Sequence, residues 1–364
     1  MKKLNFEITL LKVFFTFAVL FYHTCKITSK PIEYLFPGGY LAVEFFFIVS
    51  GYFMAASIVR NSKNGIDYSG LGFVLHKMKA IYPHIIVAFV INFFIQMVFI
   101  KNYPIEKIAE IGICSIGELS FLTFSGIKFS KFYFNGPTWY LSSMVIGMLL
   151  LYPFVKKNVY RFGSSFAPII SIIAYAIICQ NFKCIDYATK FVSITTVGTI
   201  RAIAALSLGV CLYSVVEGFK NSKFELTAIG NKITRIICCL LFILLVAMMV
   251  LPSFSPHKMF TEMCFIVYLF TFLFLLLISD GSIKFLNNKI TRFLAVLSLP
   301  LYLNHRIWLY LLNDKFSYLD MSVQLTIYFV ASIITAIIAI PLERRLTKLF
   351  KYIGSLALKE KPQE

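Results

Sequence analysis

Apolar residues along this chain come in runs of about twenty, separated by short polar connections rich in lysine and arginine. The runs fall at about 6–24, 40–59, 80–100 and 138–155, then near 165–180, 196–217, 233–251, 260–279, 293–312 and 323–342. About 20 residues at 1.5 Å rise each cross the roughly 30 Å hydrocarbon core of a bilayer. The pattern therefore predicts an all-α protein, a polytopic transmembrane helix bundle of about ten helices. Residues 1–350 form its membrane domain and 351–364 a short basic tail. The longest connection, about 101–137, carries Glu106, Glu110, Glu118 and several aromatics, and suits a short amphipathic helix or a re-entrant piece.

Composition agrees. The chain is 59% hydrophobic and only 14% charged, more apolar surface than a soluble core of 364 residues can hide. A net charge of +18 would suggest nucleic acid in a soluble protein. Here the basic residues lie between apolar runs, so topology and an anionic leaflet account for them, and no nucleic-acid partner is expected. Counted by side, 22 lysines and arginines share the even-numbered connections and both tails, against 10 in the other connections. The positive-inside rule then places both termini in the cytoplasm. The first run follows two lysines, as a secretory signal would. It lacks a small-residue cleavage site and contains Lys12, so it reads as a retained helix. The eight cysteines show no CxxC pair and no histidine at metal spacing, so buried thiols are expected, with neither a disulfide framework nor a metal site.

Charges inside the runs mark the candidate chemistry, since each costs at least a few kcal/mol facing lipid. The basic candidates are Lys12, Arg201 and Arg306. Glu44, His23, His84 and His305 are the other titratable candidates. With the first run pointing outward, Lys12 lies in its inner half and His23 near its outer end. Glu44, Arg201 and His305 also fall in the outer half. Eleven residues are about three turns, so Lys12 and His23 project from one face roughly 16 Å apart. An ammonium low and an imidazole high on one wall suit a long, thin, phosphate-bearing ligand entering from the cytoplasm, with the imidazole as a base. The alternative is a Lys12 that snorkels to the interface and an interfacial His23 beside Tyr22.

Several motifs together carry a resemblance. Lys12-x10-His23 is followed by Gly38-Gly39-Tyr40-Leu41-Ala42-Val43-Glu44-Phe45-Phe46-Phe47-Ile48-Val49-Ser50-Gly51-Tyr52. Downstream come Trp139-Tyr140-Leu141 with Tyr152-Pro153, Ser298-Leu299-Pro300-Leu301-Tyr302-Leu303-Asn304-His305, and Pro341-Leu342-Glu343-Arg344-Arg345. In this order they resemble the integral-membrane O-acyltransferase family known as acyltransferase family three, over nearly the whole chain. The resemblance implies transfer of an acyl group, usually acetyl, from cytoplasmic acyl-CoA to a hydroxyl of an extracytoplasmic glycan or related acceptor. It implies no bound cofactor, with acetyl-CoA as donor substrate. It maps His23 onto the essential histidine and Lys12 onto the basic partner that meets the donor's phosphates. Glu44 takes the acidic position of the second helix. The family's Arg-x-x-Arg falls on Lys77 and Ala80, with Lys79 as a stand-in for the second cation. Lysine at 12, alanine at 80 and Met144 in place of a common glutamate are departures, and they bear on donor identity. Lysine at 12 keeps the charge but loses the bidentate fork.

The same residues have plainer readings. Ser50, Gly51, Ala55 and Ala56 form a small-residue stripe that suits close helix packing, and Trp139 with Tyr140 suits an aromatic belt. Arg201 either pairs with Glu44 or binds an acidic sugar. His305 and Arg306 point about 100° apart, so His305 is assigned to the cavity and Arg306 to interfacial anchoring. His84 reads as interfacial, and His76 and His257 as loop residues. The expected setting is the cytoplasmic membrane of a bacterium, from the richness in Lys, Ile, Phe and Asn. A transporter or exporter of glycan or small polar solutes is the alternative function.

Overall fold

A computed structural model describes residues 5–27, 35–101, 103–122, 133–222, 225–254, 257–279 and 288–359. Its helices are α1 (Asn5–His23), α2 (Ala42–Lys63), α3 (Gly70–Phe94), α4 (Ile105–Ser115), α5 (Thr138–Lys157) and α6 (Val159–Arg161). They continue with α7 (Ala167–Asn181), α8 (Val197–Asn221), α9 (Ala228–Val250), α10 (Met259–Ile278), α11 (Lys289–Lys315) and α12 (Met321–Lys359). Ten of these, among the described residues, form the bundle. Nine of the ten spans are long and apolar enough to cross a membrane. The tenth, α11, has 27 residues, about 40 Å of helix. Asn304, His305 and Arg306 lower its apolarity, and it is shielded by α1, α3 and α12. Ten alternating crossings put Asn5 and Ile353 on the same face, called here the termini side. A two-stranded ribbon, Phe191–Val192 against Thr195–Thr196, is the β structure among the described residues.

Local chemistry explains where several helices begin. Side-chain oxygens of Ser69, Thr227 and Asn288 accept the backbone N–H groups of Gly72, Gly230 and Thr291 at 3.0, 3.1 and 2.8 Å. The Ser69 cap starts α3 ten residues before its apolar run, so His76, Lys77 and Lys79 lie on helix rather than in a connection. The last helix likewise runs past residue 350 to Lys359, and residues 360–364 of the expected tail lie outside the described residues. In the 101–137 connection, α4 turns back along α3. The segment after it delivers Phe121 to Tyr82, with ring centroids 5.5 Å apart, at the midpoint of α3. This is the re-entrant piece; residues 123–132 lie outside the described residues. Glu118, at its end, accepts the N–H groups of Phe134 and Asn135 at 2.8 Å each and so fixes the approach to α5. The thiols are less uniformly buried than expected, since Cys179 and Cys239 are exposed.

The centre of the bundle is α8 against α2, the two most buried spans. They meet backbone to backbone. A Cβ on Gly209 would sit 2.1 Å from the Ile48 carbonyl oxygen, and one on Gly51 2.1 Å from that of Leu206. Small residues permit this approach, and van der Waals contact drives helix association where lipid removes the hydrophobic term. Gly51 is thus a packing residue, as its small-residue stripe suggested. Gly209→Ala should cost about 2 kcal/mol or more through backbone overpacking. Gly218→Ala, with nothing within 4 Å of the new methyl, should gain about 0.5–1 kcal/mol. Thermal unfolding of the detergent-purified protein reads both signs.

Candidate active site

The helices of the first half and α11 enclose a cavity of about 380 Å³. At its termini-side end stand Lys12 of α1 and Lys77 of α3. Their ammonium groups lie over the Phe53 and Phe73 rings at 5.5 and 5.7 Å. The walls are apolar, from Val49, Leu141, Met144, Met148 and Leu299, with Thr16, Ser50 and Ser298 as the polar spots. Phe46, Tyr140 and Tyr302 close the far end. The Tyr302 hydroxyl donates to the Pro137 carbonyl at 3.2 Å, and the Tyr140 hydroxyl lies 3.5 Å from Ser50 Oγ and 3.6 Å from Met144 Sδ.

Beyond this roof the rings continue. Tyr302 lies 5.9 Å from His305, and His305 stacks on His23 at 5.2 Å with planes 23° apart. His23 neighbours Tyr22 at 5.3 Å, Tyr22 neighbours Tyr40 at 5.4 Å, and Tyr40 stacks on His257 at 4.7 Å. A column of aromatic and imidazole rings thus joins the cavity roof to the side opposite the termini. His305 is fully buried, and its Nδ1 lies 2.7 Å from the Tyr302 carbonyl oxygen. A carbonyl only accepts, so Nδ1 carries a hydrogen, which in a neutral ring leaves the lone pair on Nε2.

Next to the column lies a polar knot. The Arg201 guanidinium pairs with Glu44, both fully buried, and donates to the carbonyls of Tyr40 at 2.9 Å and Ile185 at 3.3 Å. The Tyr175 hydroxyl donates to the other oxygen of Glu44. Glu262 takes the Tyr40 hydroxyl and the Ile185 N–H, and Asp186 takes the Tyr22 hydroxyl. The N–H of His257 donates to the Tyr40 oxygen at 2.9 Å. Burial holds the His257 imidazole below the usual histidine range, against the pull of Asp186.

A family model described as an acyltransferase domain, that of acyltransferase family three, matches residues 5–344. The chain belongs to this acyltransferase family. No curated protein and no solved structure matches it. The protein is accordingly a multi-pass membrane acyltransferase.

Against that assignment, the structure sorts the residues picked from this acyltransferase's sequence. It brings His23 to His305 and Lys12 to Lys77. It separates Lys79, which is exposed on α3, because two helical residues differ by about 200° in direction. Ala80 is exposed as well, so the departure at that position leaves the cavity lining untouched. Of the two readings of Arg201, the structure shows the ion pair: Glu44 and Arg201 hold each other, the Tyr175 hydroxyl and backbone carbonyls. Trp139 is also off the cavity lining, its ring 5.8 Å from the Arg201 guanidinium carbon. His305 stands one ring beyond the cavity rather than on its wall. Arg306 stacks on Tyr310 at 5.5 Å and packs against Gly136. His84 sits within α3, its Nδ1 2.8 Å from the buried Glu343 of α12. His257 proves part of the ring column. Ser50, read with the packing stripe, faces the cavity.

Sequence reasoning missed Tyr140 and Tyr302 as the roof and Asp186 and Glu262 as carboxylates of the knot. Glu262 lay inside an apolar run, the same signal that exposed Glu44. Asp186, in a connection, carried none.

If the Arg201–Glu44 pair is structural, breaking one side strands a buried charge. Arg201→Met should cost about 3–5 kcal/mol, and Arg201→Met with Glu44→Gln should recover much of it. Monodispersity and thermal unfolding in detergent check both. An acceptor-binding Arg201 would instead leave the single variant stable and inactive.

Proposed function

We infer that this acyltransferase takes an acyl group, acetyl in the simplest case, from acyl-CoA on the termini side and delivers it to a hydroxyl of a glycan on the opposite side. The setting is the cytoplasmic membrane of a bacterium, with the termini in the cytoplasm, in keeping with the lysine and arginine count. The observation that carries the reading is the polarity of one wall. Two ammonium groups stand at the entry of an apolar cavity, and two stacked imidazoles lie just past its far end.

The parts divide the work by chemistry. Lys12 and Lys77 hold the donor's phosphates as point charges, while the thioester arm lies along the apolar walls, where water is scarce. The acyl end reaches Tyr140 and Tyr302 and passes between them to His23. The His23 imidazole takes the proton of the acceptor hydroxyl as that oxygen attacks the thioester carbon. A C–O bond forms, the C–S bond breaks, and the imidazolium returns the proton to the departing sulfur. His305 is a positioning residue, its own tautomer held by the Tyr302 carbonyl and its ring flat against His23. Tyr22 and Asp186 offer the acceptor's hydroxyls a polar mouth beside His23.

His23→Ala should lower transfer at least a hundredfold while the protein accumulates normally in the membrane. Mass spectrometry of surface glycans from cells carrying the variant, read against a deletion strain, checks it. Undiminished acylation would end the assignment. Lys12→Met and Lys77→Met should each raise the KM for acetyl-CoA about tenfold with a smaller change in kcat, the signature of lost ground-state binding. Steady-state thioester turnover by purified protein measures the split.

A further inference from the structure

A second cavity, of about 550 Å³, lies beside the last turns of α5 and shares no lining residue with the candidate active site. Its walls are Leu150 and Phe154 of α5, with Phe162, Phe166 and Ile170 from the segment that follows. Phe154 and Phe166 are more than half exposed, so the trough opens sideways rather than inward. Lys157 and Arg161 stand at its termini-side end.

The trough has a backbone cause. Residues Phe162–Phe166 form a π-helical turn between α6 and α7, a local widening frequent at functional sites. Gly163 in that turn is drawn tightly onto α8; a Cβ there would sit 1.9 Å from Ser214 Oγ. Pulling the turn inward onto α8 leaves a gap between it and the outer face of α5. Asn158 caps α6 by accepting the Arg161 N–H at 2.9 Å, and the Arg161 side chain is exposed.

The charges at the mouth are one-sided. Asp67, the acid nearest this end of α5, is taken by Lys156. Among the described residues, neither Lys157 nor Arg161 has a carboxylate within ion-pair distance. An apolar trough at hydrocarbon depth is filled by hydrocarbon, and two unpaired cations at its polar end call for an anion. The donor's phosphates are not that anion, because the trough and the Lys12–Lys77 cavity are separate and share no lining residue.

We propose that this trough binds one anionic phospholipid of the termini-side leaflet, an acyl chain along Phe154, Phe166 and Ile170 and its phosphate between Lys157 and Arg161. Lipid tails are as apolar as these side chains, so the chain sets the fit and the headgroup sets the preference. Two basic residues near the membrane surface give about a 10- to 30-fold preference for an anionic over a zwitterionic headgroup.

Native mass spectrometry of the full-length, delipidated protein titrated with phosphatidylglycerol or phosphatidylcholine of matched chains tests this. Wild type should retain phosphatidylglycerol at least tenfold better. Lys157→Ser with Arg161→Ser should bring the two lipids to parity, and both side chains are exposed, so the fold should persist. Ile170→Trp, which fills the trough, should reduce retention of both lipids. Inorganic phosphate should not compete. Equal retention of the two lipids by wild type would overturn the proposal. So would an unchanged preference in the double variant, or displacement of the lipid by inorganic phosphate.

Discussion

A guanidinium and a carboxylate sunk in hydrocarbon must find each other and use up every remaining hydrogen-bonding position, because no water is there to do so. Arg201 and Glu44 meet that demand with the Tyr175 hydroxyl and the carbonyls of Tyr40 and Ile185. One contact set thereby ties α2, α7, α8 and the connections on the far side. It also sets a register, since Glu44 and Arg201 meet only when Gly51 and Gly209 bring α2 and α8 backbone to backbone two turns further along. The knot is specific rather than cheap, and its value to the acyltransferase is the fixed position it gives Tyr40 and, through Tyr40, Tyr22 beside His23.

From that frame the site divides into two environments. Towards the termini, the cavity is apolar with cations at its entry, suited to a ligand that is charged at one end and greasy along its length. Away from the termini, the surroundings are hydroxyls, carboxylates and imidazoles. The rings of Phe46, Tyr140 and Tyr302 stand between the two. Placing His23 on the polar side and Lys12 on the apolar side of one helix makes α1 the ruler of the site. About 16 Å of rigid helix sets the distance between the Lys12 ammonium's end of the cavity and the stacked imidazoles.

The π turn after α6 shows a second use of the same logic. Gly163 lets it approach α8, and the resulting gap on α5 faces lipid rather than the active site. One helix therefore carries Met144 and Met148 towards the first cavity and Leu150, Phe154 and Lys157 towards the second, a consequence of the 100° step between residues.

Much of this was legible in the order of residues alone. Runs of twenty apolar positions determine a helical bundle, because hydrocarbon tolerates no other open-ended way of pairing the backbone. The eleven-residue interval from Lys12 to His23 determines that they share a face, because helix periodicity is local. Ordered motifs pointed to the family that the matched residues 5–344 then showed. What the residue order left open was which face meets which neighbour. Arg201 reads equally as ligand or ion-pair partner until α8 is laid against α2. Lys79 is a fair second cation until α3 is rotated into place. Tyr302 and Tyr140 are ordinary aromatics until three helices converge on them. Asp186 means nothing until a loop folds back onto Tyr22. Contacts between residues more than a hundred positions apart are set by packing, and packing is a property of the assembled surfaces rather than of any one helix.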